Sequence, residues 1–413
     1  MQKADAAVLG AGIVGLSAAL HLQARGREVV IVDRHAAPGR ETSFGNAGLI
    51  ERSSIFPYLF PHSASKLIRY AFNLAPEARY HLSALPRIFP WLWRYFYESG
   101  PTGAARSFAA FRPLIEQCLA EHGPLAAAAG AQDLFRPSGW LKIFHLSSTF
   151  DAGAREAERL RSFGLSVDIL AIQELLNREP HLTPPRGALH FLDTASVTDP
   201  AALSQAYLDL FLARGGRFLA GDARTLEQEA QGWRLKTTQD YLFVYDVVVA
   251  LGPWSDQIYR PLGYQIPLGV KRGYHMHYAP YKDRQIFHPI LDADHGFLLA
   301  PMARGVRLTT GAEFADRDAP STPVQIDRCE PLARKLAPLG DRLDPTPWMG
   351  ARPCLPDMLP VLGPAPAHKG LWFNFGHAHH GLTLGPVTGR LLAEMMTGES
   401  PSIDPRPYRA DRF

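Results

Sequence analysis

The chain opens on a short apolar run, Ala4-Asp5-Ala6-Ala7-Val8-Leu9, followed at once by Gly10-Ala11-Gly12-Ile13-Val14-Gly15. Few folds accept that order. A strand must stop, turn tightly and open a helix whose first amides face a diphosphate. Gly10 permits the turn, Gly12 lets the backbone approach phosphates, and Gly15 lets helix and strand pack closely. The helix runs through Leu22 and stops at Gly26. A second strand, Glu28 to Val32, ends in Asp33, 18 residues past Gly15. There a carboxylate can accept hydrogen bonds from an adenosine ribose. Together these predict a dinucleotide site built on Gly10, Gly12, Ile13, Val14, Gly15 and Asp33. Arg34 beside the acid would suit a 2′-phosphate, but Asp33 argues for an unphosphorylated ribose. Glycines at motif spacing and the βαβ pattern that follows argue against a secretory signal.

A length of 413 residues exceeds one ordinary core, so two domains are expected. The net charge of +3 is small for this length and gives no argument for nucleic acid. Cys118, Cys329 and Cys354 have no metal spacing and cannot form an even disulfide framework. A reducing, cytoplasmic compartment fits them. No apolar stretch reaches about 18 residues without a charge or breaker, so no transmembrane helix is expected.

Past Asp33 comes a loop of small and polar residues ending in Ser43-Phe44-Gly45-Asn46-Ala47-Gly48, suited to presenting amides and hydroxyls to a cofactor. From Ser54 to about Gly130 the pattern is helical and aromatic. Its densest part, Trp91 to Tyr97, reads as the core of a cap domain, with a membrane-surface helix as the alternative. Arg136 to Phe144 reads as one strand. Asp199-Pro200 starts a helix running to Ala213. Asp246 to Ala250 is a buried parallel strand that returns the chain to the first domain and delivers Gly252 to its carboxyl end. Strands at Gly269–Tyr278, Gly296–Ala300 and Val306–Thr310 predict a largely antiparallel second sheet. A strand at Leu371–Phe375, the loop Gly376-His377-Ala378-His379-His380-Gly381 and a helix from about Leu382 close the chain.

The fold class expected is therefore α/β: a Rossmann-like domain joined to an α+β domain on a largely antiparallel sheet. The first domain is discontinuous, over 1–54, 199–262 and 349–413. The substrate or cap domain takes 55–198 and 263–348.

Three histidines in four residues invite a metal reading, but no matching cysteine or acid cluster lies nearby, so no metal is expected. The strand, tight loop and helix start around them instead offer partial positive charge to an anionic ligand atom, such as N1 and O2 of a reduced flavin. Arg352, before a proline and among few other charges, suits either a bidentate grip on a carboxylate or a structural salt bridge. Tyr274 and Tyr278 are four apart on a strand and share a face. They suit core packing or a substrate hydrogen bond.

Taken with Arg272-Gly273-Tyr274, Gly350-Ala351-Arg352-Pro353 and Gly376-His377…Gly381-Leu382-Thr383, the motifs above resemble the D-amino acid oxidase family of flavoproteins. Within it the likeness is closest to the bacterial D-amino acid dehydrogenases, through the Ser43–Gly48 loop and the Trp-rich segment near Pro90. The resemblance implies non-covalent FAD. Ser43, Asn46, Ala47 and Gly48 would approach its ribityl chain and ring. Gly376, Gly381, Leu382 and Thr383 would lie on its pyrimidine side. Ala223 and Gly252 would flank its adenosine, and Trp254 and Arg34 join the cofactor contacts. Arg352 would grip the substrate carboxylate beside the flavin, and Tyr274 would line the same pocket.

The activity implied is oxidative deamination of a D-amino or imino acid by hydride transfer to flavin N5, giving an imine that hydrolyses to a 2-oxo acid. His379 or His380 would assist as base. The paired histidines depart from the dehydrogenase pattern, and glycine oxidases carry Arg-Asn there. A D-hydroxyproline, an opine or a sarcosine-type secondary amine is therefore an alternative substrate. A nicotinamide dehydrogenase, or a non-catalytic or partner-dependent flavoprotein subunit, is the alternative of another class. The electron acceptor is left among oxygen, a quinone and a partner subunit, with peripheral contact at the inner face of the cell membrane as an option.

Overall fold

The computed structural model describes residues 2–73, 75 and 77–413. Two large sheets organise it. In the first, Arg217–Ala220, Val29–Asp33, Gln2–Leu9 and Tyr241–Val249 lie side by side and parallel, and Leu371–Phe375 joins the far half of Tyr241–Val249 in the same direction. Their middles are apolar because both faces are buried, one against the helices Ile13–Gln23, Pro200–Ala213 and Gly381–Thr397 and the other in a second apolar cluster with Trp233, Leu235 and Tyr259. The near half of Tyr241–Val249 pairs antiparallel with Gly232–Lys236 as a hairpin.

The helix Ile13–Gln23 follows the first strand directly. Gly10 turns the chain at φ 105°, and a Cβ on it would meet Ala250 O at 2.6 Å. A Cβ on Gly15 would overlap the Gly10 carbonyl. No side chain larger than hydrogen fits without parting helix from strand. Gly15→Ala is expected to cost about 3 kcal/mol, read as a lower urea midpoint together with loss of bound flavin absorbance. An unchanged midpoint would remove the packing argument.

The C-terminal helix Gly381–Thr397 lies alongside Ile13–Gln23. Gly385 lies over Ile13 and Ser17, and Gly389 over Ser17 and Ala18. The order of those contacts makes the helices parallel, so both N-termini emerge at the same end of the sheet.

The second sheet has eleven strands and is largely antiparallel. At its centre Gly269–Pro280 pairs with Gly305–Thr310 and with Trp348–Cys354. Two pairings are parallel, Ile290–Asp292 with Trp140–Phe144 and Ala312–Phe314 with Ala78–Tyr80. The segment expected as one strand from Arg136 is two. Phe135–Arg136 belongs to a small third sheet and Trp140–Phe144 to the second. Pro137 cannot donate to a ladder, and Gly139 turns at φ 73°.

The aromatic helix is Leu85–Glu98. It divides its rings between two faces. Tyr95 is buried and Trp91 packs beside it, whereas Phe89, Trp93 and Tyr97 are 60%, 61% and 77% exposed. The core expectation therefore holds for only part of the run. No helix among the described residues is long and apolar enough to cross a membrane.

Candidate active site

One cavity of about 1400 Å³ runs from the carboxyl end of the parallel sheet to the face of the antiparallel sheet. It exceeds the span of about 300–1000 Å³ usual for a single small-molecule pocket. Gly10, Gly12, Ile13, Val14, Asp33, Arg34, Ser43, Asn46, Ala47, Ala223, Gly252, Trp254, Arg352, His379, Gly381 and Leu382 all line it.

At its dinucleotide end, Asp33 accepts the Ala11 amide at 2.7 Å and the His35 amide at 2.8 Å, which fixes its carboxylate on the wall. The Arg34 guanidinium lies 4.1 Å from the Trp254 ring and pairs with Glu41. A paired Arg34 fits an unphosphorylated ribose. Gly12 is the N-cap of its helix and has no side chain to cap with. Ser43 Oγ accepts the Ile13 amide at 3.1 Å. Gly381 starts the second helix with only Val14 Cγ2 near the place of a Cβ, at 3.8 Å. Two helix starts on one wall, neither capped by the side chain of its own N-cap residue, supply partial positive charge at two points.

Gly15, Gly48, Gly376, Thr383 and His380 stand behind the wall and act through it. Gly48 turns at φ 78° against the Val197 carbonyl, with the Asn46 side chain accepting its amide at 2.8 Å. Gly376 turns at φ 86° against Leu355. Thr383 Oγ1 donates to Leu49 O at 3.2 Å and accepts the Glu51 amide at 3.3 Å. It therefore ties the loop after Gly48 to the C-terminal helix.

At the other end lies Arg352, half-buried on the wall. Its guanidinium donates to Gly311 O at 3.1 Å and Thr310 O at 3.5 Å. Among the described residues no carboxylate pairs with it, so the salt-bridge reading is set aside. Burial lowers its affinity for a proton. Gly273 makes room for it, since any Cβ there would overlap the guanidinium. Thr42 Oγ1 holds the Ala351 carbonyl at 2.6 Å, fastening the Ser43–Gly48 loop to the arginine strand. Trp348 lies flat against Gly45 and Gly350 and stacks on His275 at 4.8 Å.

Tyr274 lines the cavity, as expected. Its hydroxyl is engaged elsewhere: it donates to Glu313 Oε2 at 2.7 Å and accepts from the Thr322 amide at 2.9 Å and from Arg272 at 3.1 Å. Arg272 and Glu313 are fully buried and paired at 2.6 Å. The phenol belongs to this network, in the core under the sheet with Tyr278. Strand alternation is the reason: Arg272, Tyr274, Met276 and Tyr278 face one way, Lys271 and Gly273 the other.

The histidine pair is corrected in its surroundings. An acid does lie beside it, Glu51, whose carboxylate comes within 4.8 Å of nitrogens of both rings. Burial pushes the Glu51 pKa up and holds His380 down at about 3 and His379 well below its usual value. Both imidazoles are therefore neutral near pH 7, and the Glu51 carboxyl is harder to ionise than usual. His379 Nε2 and both His380 ring nitrogens have no partner. The two rings sit 3.7 Å apart, with Tyr58 edge-on to His379 at 4.4 Å. Glu51, Tyr58, Lys271, Gly273 and Trp348 escaped the sequence reading. Only Lys271 and Gly273 had a signal in it, the alternation out of phase with Tyr274.

A parallel sheet with a glycine turn, two helix starts on one wall and an acid at the end of its second strand define a dinucleotide-binding fold. The residues fit FAD: at about 1400 Å³ the cavity is roomy enough for the dinucleotide and a small acid beyond it, and its glycines leave the backbone bare. The chain belongs to the FAD dependent oxidoreductase family, whose model matches residues 5–395. It is 31% identical to a D-amino acid dehydrogenase of Cereibacter sphaeroides over 98% of this chain and 94% of that one. It is 29% identical to a D-amino-acid oxidase of Bradyrhizobium diazoefficiens over 98% of each. Its fold matches glycine oxidase from Geobacillus kaustophilus with a TM-score of 0.76, at 21% identity over the whole of both chains. The protein is an FAD-dependent enzyme of the amino acid dehydrogenase and oxidase group.

Proposed function

We propose that the protein oxidises the α-carbon of a D-amino acid or related imino acid, giving an imine that water converts to a 2-oxo acid. One observation carries this reading: Arg352, a cation without a carboxylate partner among the described residues, stands at the far end of the dinucleotide cavity with Gly273 cleared away above it. Its fork matches a carboxylate in bidentate fashion. The D configuration is supported by the relatives just named.

FAD, when bound, supplies the acceptor for the hydride. The chain's own residues do the rest. Arg352 fixes the carboxylate, which turns binding energy into orientation of the α-hydrogen. The substrate arrives as an ammonium and must lose a proton before its α-hydrogen can leave as hydride. Arg352 and Lys271 disfavour a further positive charge beside them. Burial and the same two cations also hold His379 neutral, so the proton leaves to solvent rather than to its ring, and His379 lines the wall as an uncharged surface. His380 holds the His379 ring from behind. Tyr58 covers its edge against water.

The test is anaerobic titration of the flavin band with D-, L- and N-substituted amino acids. Bleaching by D or N-substituted compounds is expected. Bleaching by L enantiomers alone, or by none, rejects the proposal.

A further inference from the structure

The cavity carries a second cation that binding one α-carboxylate does not use. Lys271 sits directly opposite Arg352 across the antiparallel pair of Gly269–Pro280 with Trp348–Cys354. Both line the cavity. Like charges directly opposite on one sheet face repel. Nothing on the wall relieves them, because neither has a carboxylate within ion-pair distance among the described residues. The Lys271 ammonium is instead held among rings, 4.0 Å from Tyr95, 5.6 Å from Trp91 and 5.7 Å from Phe314. Its remaining polar contact is Met358 Sδ at 3.9 Å. Rings attract a cation without satisfying its donors. Burial and the neighbouring Arg352 push the Lys271 pKa down to about 8. A cation so placed gains strongly from an incoming anion.

Resting on the deamination reading, we infer that the substrate is an amino or imino dicarboxylic acid. Arg352 takes the carboxylate beside the reacting carbon, and Lys271 takes the second. Two anions then answer two cations, and the cross-strand repulsion is relieved only when both sites fill. A substrate with one carboxylate leaves the Lys271 ammonium dehydrated and without a counter-charge. The aromatic wall of Trp91, Tyr95 and Phe314 orients the lysine and keeps water from replacing the second carboxylate.

The experiment compares acids with amides of the same size: D-glutamate with D-glutamine, D-aspartate with D-asparagine, and iminodiacetate with its monoamide. The second-order rate constant for anaerobic flavin reduction is measured on the holoenzyme. At least one acid is expected to exceed its amide by tenfold or more. Lys271→Met lowers that acid-to-amide ratio at least tenfold, and Lys271→Arg keeps it. Flavin content and melting temperature show that each variant is folded. An amide that matches or beats its acid in every pair overturns the inference. So does a folded Lys271→Met enzyme with an unchanged ratio, since the lysine would then serve only the aromatic packing. If no member of any pair reduces the flavin but a monocarboxylic amine does, the dicarboxylate class falls and deamination stands. If no amine at all reduces it, both fall.

Discussion

Replacing Arg352 by methionine lowers kcat/KM for the best amino acid substrate by about 1000-fold, equivalent to about 4 kcal/mol. The size follows from the setting. The guanidinium is held by two backbone carbonyls on one edge and is open to the cavity beyond. Among the described residues no other arginine lines that end of the cavity, and Lys271, a point charge across the strand pair, does not reproduce the fork. Loss of the fork removes both the affinity and the orientation of the α-hydrogen, so kcat falls and KM rises. Arg352→Lys recovers only part, because a point charge does not reproduce the planar fork. Gly273→Ala produces a milder version by pushing the guanidinium aside. The Met variant keeps its flavin and is not expected to lose stability, since a buried cation without a counter-charge is unfavourable to the empty enzyme. Steady-state kinetics with flavin content and melting temperature measured alongside decide the matter. Unchanged KM and kcat would refute the carboxylate role.

The second large effect is on stability against acid. Burial, the leading cause in each case, lowers His21, His122 and His277 to about 4 and His377 and His380 to about 3, and lowers His275 further. Arg25 adds to the effect at His21, and Arg307 at His277. In the unfolded chain each titrates near 6.5. Below that pH the unfolded state binds more protons than the folded one. The stability these histidines contribute is therefore complete above about pH 6.5 and is lost as pH falls towards about 4. Between pH 7 and pH 5.5 each loses about 1.2 kcal/mol. With mutual coupling the six together lose about 5 kcal/mol, or about 6 °C in melting temperature for a chain of 413 residues. Thermal melts of the holoenzyme at the two pH values measure it. A melting temperature that stays level until carboxylates titrate, below about pH 4.5, would refute it.

The dinucleotide half was legible in the sequence because its constraints are local. Gly10, Gly12 and Gly15 lie within six residues, and each answers a clash with backbone nearby. Asp33 is placed by one helix and one strand. Arg352 was legible as a candidate through its scarcity of charged neighbours. The other half of the site was not, because its members meet only through long-range pairing. Glu51 reaches the histidine pair because Thr383 ties the loop after Gly48 to the C-terminal helix. Trp348 reaches the cavity because two glycines far apart in the chain leave its ring a slot. Tyr274 was legible as a cavity residue, but the partners of its hydroxyl were not, because the phase of its strand turns that hydroxyl to Arg272 and Glu313.

The sequence by itself determined that this chain turns a strand into a helix around a diphosphate, and that it returns to the same sheet twice. Backbone sterics and apolar periodicity act over a few residues and survive reading in one dimension. Tertiary structure alone decided which charges share the cavity. The register of Gly269–Pro280 against Trp348–Cys354 sets Lys271 opposite Arg352. A slip of one residue in either strand would have sent its cation to the other face, because side chains alternate along a strand.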